Sequence, residues 1–256
     1  MLFKLLKYDF RAMWKQFSLI WGAALALALV NRFTLFRDTA NTIFSEDGVL
    51  MFAFMAVIVA MFVLAVIFVV NRFSKGLLGN EGYLMFTLPV RPWQLVLSKL
   101  ICGTVTWVGC GVVALFSPAL MLPLNLPDLL QFPFWSDIFR GIMKHPGVLA
   151  LIAEFCLATL SFLVLFIASM YLAMAIGHLF SRHRRLISVA VFIGLYILIA
   201  NLYDWVFSYK FVQSLVDAAI DNAYGTMLTA SAIMLVPAAL FLAAVCWILE
   251  NKLNLE

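Results

Sequence analysis

Leu50-Met-Phe-Ala-Phe-Met-Ala-Val-Ile-Val-Ala-Met-Phe-Val-Leu-Ala-Val-Ile-Phe-Val-Val70 contains no charged, amide or hydroxyl side chain. As a helix rising about 1.5 Å per residue it spans roughly 30 Å, the hydrocarbon thickness of a bilayer. It is apolar on every face, so it belongs in a lipid environment or deep in a core. The rest of the chain decides between these. Hydrophobic residues make up 65% of the 256 positions and charged residues 12%, with a mean hydropathy of +1.06. Soluble domains average about 45–50% apolar and about 25% charged. No single water-soluble core hides this much apolar surface, and the excess must face lipid.

Five further stretches have span-like length and composition. With the first, they predict helices near Gln16–Val30, Leu50–Val70, Leu97–Leu120, Val148–Gly177, Leu186–Leu202 and Thr226–Leu249. The expected fold is an all-α polytopic membrane protein with six transmembrane helices, forming one transmembrane domain over residues 1–256. Small residues at four-residue spacing (Ser18, Gly22, Ala26; Ala239, Ala243) offer close helix approach, and Pro237 predicts a kink in the sixth helix.

Orientation follows from the cations. Lys4, Lys7, Arg11, Lys15, Arg72, Lys75, Arg91, Lys99, Arg182, Arg184, Arg185 and Lys252 fall on one side of the alternating spans. Arg32, Arg37, Arg140, Lys144 and Lys210 fall on the other, together with most of the acids. The positive-inside rule then places both termini in the cytoplasm. The basic N-terminus followed by an apolar run reads as a retained anchor, because more spans follow. A net charge of +4, spread along the chain, does not suggest nucleic-acid binding.

The flanking segments carry patterns of their own. In residues 1–15, Leu2, Phe3, Leu6, Phe10, Met13 and Trp14 recur at helical spacing between lysines and arginines, which predicts an amphipathic helix on the cytoplasmic surface. Pro118, Pro123, Pro127, Pro133 and Pro146 predict a bent external connection, with Pro146 opening the fourth helix. Residues 203–225 predict a short external amphipathic helix. Lys99 is long enough to snorkel to the cytoplasmic interface.

Chemistry-bearing patterns are scarce. Cys102, Cys110, Cys156 and Cys246 lie in apolar stretches with no C-x-x-C pair, and read as buried apolar residues. There is no phosphate loop with the G-x-x-x-x-G-K-[ST] pattern, no H-E-x-x-H and no G-x-S-x-G. No catalytic or metal-ligating set and no cofactor is therefore expected in this chain. A membrane-embedded enzyme acting on lipid or peptide, or an assembly factor, would need a polar cluster within the spans. An ion-coupled carrier would need several buried ionisable groups. Only Glu154 lies clearly inside a predicted span. It reads either as a carboxylate reaching external water or as one facing a translocation path, where it would favour cationic cargo.

The connection between spans two and three, Gly79-Asn-Glu-Gly-Tyr-Leu-Met-Phe-Thr-Leu-Pro-Val-Arg-Pro-Trp-Gln-Leu-Val-Leu-Ser-Lys-Leu100, is the most distinctive segment. Residues 81–86 read as a short helix and Thr87–Pro92 as a stiff break, since Pro89 and Pro92 fix the backbone. Here Glu81, Tyr83, Thr87–Val90, Gln94–Leu95 and Lys99–Leu100 resemble the corresponding connection of type-2 ATP-binding-cassette exporter permeases, particularly the compact Gram-positive type. The resemblance extends to six spans, a surface helix and cytoplasmic termini. The external connection between the third and fourth spans is longer and richer in proline than in that family, and the large external domain of some relatives is absent.

The resemblance implies that residues 76–95 form a cytoplasmic coupling segment, with Glu81, Tyr83, Leu84, Phe86, Thr87 and Pro89 seated in a separate ATPase subunit. It implies that ATP and magnesium belong to that partner. It also implies a second permease copy or paralogue, membrane lipid, an amphipathic substrate and a bacterial cytoplasmic membrane.

Overall fold

The structure is a computed structural model that describes residues 2–35, 46–77, 92–121, 146–180, 183–208 and 226–251. Among these, six helices are long and apolar enough to cross a membrane. They are α1 (Leu2–Leu35), α2 (Glu46–Leu77), α3 (Pro92–Met121), α4 (Pro146–His178), α5 (Arg184–Phe207) and α6 (Thr226–Asn251). The chain is an all-α, multi-pass membrane protein. At most 33% of the most apolar stretch of any span is buried, in α3, and none of it in α5. Leu19, Phe52, Val59, Leu115, Ile193 and Leu240 are among the large apolar side chains left outside. In water that surface would be unsustainable; in a bilayer it is the lipid face.

Helix boundaries follow local chemistry. Pro92 and Pro146 open α3 and α4, where a residue lacking N–H costs nothing. Helices α3 and α6 continue through Pro118 and Pro237. Several polar side chains within the spans bond to their own helix. Thr106, Thr159, Ser161, Ser188 and Asn201 each donate to the carbonyl four residues back, at 2.8–2.9 Å. This back-bonding removes the cost of a hydroxyl or amide in hydrocarbon.

One expectation for the flanks is revised, and another falls mostly outside the described residues. Residues 2–15 do not form a separate surface helix: α1 is unbroken from Leu2 to Leu35, since no proline or glycine interrupts residues 2–21. At about 1.5 Å per residue it runs roughly 50 Å, well beyond the hydrocarbon thickness. Within it Asp9, Met13 and Phe17, four residues apart, are buried, whereas Trp14 is exposed. Of residues 203–225, the first five continue α5, and residues 209–225 lie outside the described residues, as do 122–145.

The chain divides into two compact units. The first comprises residues 1–69 and 101–139. Its core is Met13, Phe17, Ala24, Met61, Ala65, Cys102, Cys110 and Val113, from α1, α2 and α3. Phe17 meets Phe68 edge-on at 5.2 Å, and Phe62 packs on Trp107 at 5.5 Å. Such pairs contribute about 0.5–1.5 kcal/mol beyond area burial. Trp21 stands edge-on to Trp14 at 6.1 Å and donates its indole N–H to Cys110 Sγ at 3.5 Å. At one end Asn31 Nδ2 donates to Leu50 O at 3.2 Å and Arg32 Nη1 to Leu120 O at 3.0 Å. The end of α1 is thus tied to the start of α2 and the end of α3, as alternate crossing requires. Leu120 O belongs to the last turn of α3, where carbonyls lack intrahelical donors and cations are favoured.

The second unit comprises residues 70–100 and 140–256. Helix α4 packs along both α5 and α6. Its positions Glu154, Ser161, Leu165, Ala168, Leu172 and Ala175 are buried, as are Ser231, Ala238, Val245 and Ile248 of α6. Both sets follow the three-and-four spacing of left-handed helix packing, with small residues permitting close approach. The rows singled out in the sequence are not these faces: Gly22, Ala26, Ala239 and Ala243 are exposed. The α4–α5 turn is tight. Gly177 lies directly against the Ser188 side chain and 3.0 Å from Arg184 O, measured from where a Cβ would stand. His183 takes a left-handed φ of 62° just before α5.

Gly109 is a corresponding close approach in the first unit, because a Cβ there would overlap the Trp21 ring. We expect Gly109→Ala to lower stability by about 1–3 kcal/mol, measured by thermal unfolding of the purified protein in detergent. Trp21→Phe, which shrinks the ring, should recover part of that loss in the double variant, giving a non-additive cycle.

Candidate functional site

The coupling residues suggested by the sequence, Glu81, Tyr83, Leu84, Phe86, Thr87 and Pro89, lie outside the described residues. The two stems that carry that connection are described, and both belong to the second unit. The closing residues of α2 and the opening residues of α3 are buried there: Phe73, Leu77 and Leu95 fully, Val96 and Lys99 nearly so.

Three features join these stems to their surroundings. Phe73 near the end of α2 stacks on Tyr171 of α4, with ring centroids 4.2 Å apart and planes 13° apart. Both are large, fully buried rings. The Lys99 side chain of α3 crosses Gly76 of α2, its Cε 3.6 Å from the position a Cβ would occupy. Trp93, Val96 and Leu97 of α3 face Leu242, Ala243 and Cys246 of α6 across an apolar groove of about 340 Å³.

Lys99 therefore does not snorkel to an exposed position. It is 3% exposed, because Gly76 presents no side chain and leaves room for the butyl stem against α2. A buried ammonium is expensive unless satisfied, so this residue serves the packing of the two stems. The sequence marked Lys99 by its position in the connection, but burial depends on which helix passes over it, and nothing local encodes that.

Glu154 lies within α4, inside the span Val148–His178. It is 9% exposed. Its Oε2 is buried with no hydrogen-bond partner among the described residues. Asp9, which the sequence reading passed over as one acid in a basic segment, is also buried, at 3% exposure. The signal was its place at i−4 to Met13 and i−8 to Phe17, on their helical face. Among the described residues, no cluster of three or more His, Cys, Asp or Glu side chains could hold a metal ion. The four cysteines are free: Cys102 and Cys110 are buried, Cys246 is half-buried and Cys156 is exposed.

Compared with family models, curated proteins and solved structures, the chain has no match.

The stem geometry is testable. Phe73→Ala and Tyr171→Ala should each destabilise the protein by about 3–5 kcal/mol. The double variant should show a favourable coupling of about 0.5–1.5 kcal/mol between the rings, read from chemical or thermal unfolding. Strictly additive losses would mean the rings do not stack.

Proposed function

We propose that this protein is the membrane-spanning subunit of an ATP-driven exporter of the type-2 ATP-binding-cassette class, working with a separate cytosolic ATPase subunit. The observation that carries this reading is the anchorage of the connection between α2 and α3. Its stems are buried in one compact unit beside α4 and α6, while the intervening residues hold the segment resembling the coupling helix of that class. A protrusion rigidly rooted at both ends can transmit a push; a loosely tethered loop cannot.

In this reading Glu81, Tyr83, Leu84, Phe86, Thr87 and Pro89 seat in the ATPase, and Pro89 and Pro92 keep the segment stiff. ATP and magnesium act in the partner. Its closure shifts the stems, and through them the balance between two conformations of the spans. A second copy of this chain or a paralogue completes the path. The cargo is amphipathic, such as an antimicrobial peptide, a drug or a lipid. The setting is a bacterial cytoplasmic membrane with both termini inside, as the distribution of lysine and arginine indicates. This chain performs no covalent chemistry in that scheme.

The test is whether a neighbouring reading frame encodes an ATP-binding-cassette ATPase, followed by co-expression of this chain with that ATPase. The two should co-purify and catalyse ATP-dependent transport. Glu81→Ala and Tyr83→Ala should each reduce the recovered ATPase by about tenfold or more, as for anchor residues at the centre of an interface. Full assembly and transport in both variants would overturn the coupling assignment.

A further inference from the structure

Every other hydroxyl or amide for which a bond within the α4–α5 pair is described returns it to its own helix. Thr159 and Ser161 on α4, and Ser188 and Asn201 on α5, all donate to the carbonyl four residues back. Glu154, on the same buried stripe of α4 as Ser161, does not. Its Oε2 is buried and makes no hydrogen bond among the described residues. Leaving a buried carboxylate oxygen unbonded in hydrocarbon is costly.

The surroundings narrow what fits. Glu154 stands eight residues into α4, about 12 Å along the axis from its first residue, so an amphiphile at the interface reaches it. The α4–α5 hairpin, whose register is set by Phe166 against Phe192 and by Gly177 against Ser188, brings the last turns of α5 to this level. Tyr203, with its hydroxyl buried, and the exposed Asp204 belong to those last turns. On α4 itself, Leu151, Ile152, Phe155 and Leu157 are exposed around the carboxylate. Divalent cations take several oxygen ligands, and no clustered carboxylates occur here among the described residues. One carboxylate ringed by apolar surface suits a monocation with an apolar body.

We propose that Glu154 is the anchoring carboxylate of a binding site for amphipathic organic cations, an ammonium or guanidinium group on an alkyl or aromatic body. The cation pairs with the Glu154 carboxylate, and the body lies along the exposed residues of α4. That such a cation is the exported cargo rests on the exporter reading above; that it binds here does not.

The experiment uses the full chain, without any ATPase, in phosphatidylcholine nanodiscs titrated with decylammonium, with empty discs subtracted. The protein should bind decylammonium saturably and should not bind neutral decanol. Glu154→Gln should weaken binding by about ten- to a hundredfold, while Glu154→Asp keeps most of it. Unchanged affinity in Glu154→Gln, or equal binding of decanol, would overturn the proposal. Should Glu154→Gln fail to fold, the unaltered protein still decides. Decylammonium, but not decanol, should slow carbodiimide modification of Glu154 read by mass spectrometry, and no protection overturns the site. Loss of ATPase co-purification would instead sink the exporter reading and leave this site standing.

Discussion

Hydrocarbon offers a peptide group no hydrogen-bond partner, so every N–H and C=O in a span must find one within the protein. Long unbroken helices meet that demand, and the described residues of this chain follow it closely. Their polar side chains obey the same constraint by bonding to the carbonyl one turn back. At the helix ends, where carbonyls run out of intrahelical donors, Arg32 supplies one to Leu120 O. The structure is organised by satisfying polar groups before it is organised by packing, because the lipid already accepts the apolar side chains.

Packing then relies on shape rather than on escape from water. In the first unit, aromatic rings fit against small partners: Trp21 over Gly109, and Phe17 among Ala24, Ala65 and Met61 in one core. In the second, α4 offers alanine and serine at the spacing that lets a neighbouring helix approach. Against this background two charged side chains, Lys99 and Glu154, are buried within spans of the second unit. Lys99 lies at the root of the connection between α2 and α3, and Glu154 near the opposite end of α4. A mechanical role for the first and a recognition role for the second would be compatible with the exporter subunit proposed above, with force delivered at one end of the unit and a cationic ligand held toward the other.

The six spans were legible because hydropathy is a local property. The window that marks Leu50–Val70 needs no knowledge of its neighbours, and α2 merely extends it to Glu46 and Leu77. The helix starts at Pro92 and Pro146 were legible for the same reason. The N-terminal segment was misjudged because amphipathic spacing is identical in a surface helix and in the extension of a span; continuity of the hydrogen-bond ladder through residues 15–22 settles it. The small-residue rows suited either the intramolecular bundle or a subunit interface, and Gly22, Ala26, Ala239 and Ala243 are exposed in the chain, because four-residue spacing marks a smooth face without saying which face a neighbour occupies.

By itself, the amino-acid sequence determined that this protein is helical, membrane-embedded and six times long and apolar enough to cross, since those properties sum over residues one at a time. Only the tertiary structure decided that Lys99 is covered, that Trp21 requires glycine at position 109, and that Glu154 Oε2 is buried without a hydrogen bond among the described residues. Each of these depends on which distant helix passes within a few ångströms, and burial and hydrogen bonding are properties of pairs of segments rather than of either segment alone.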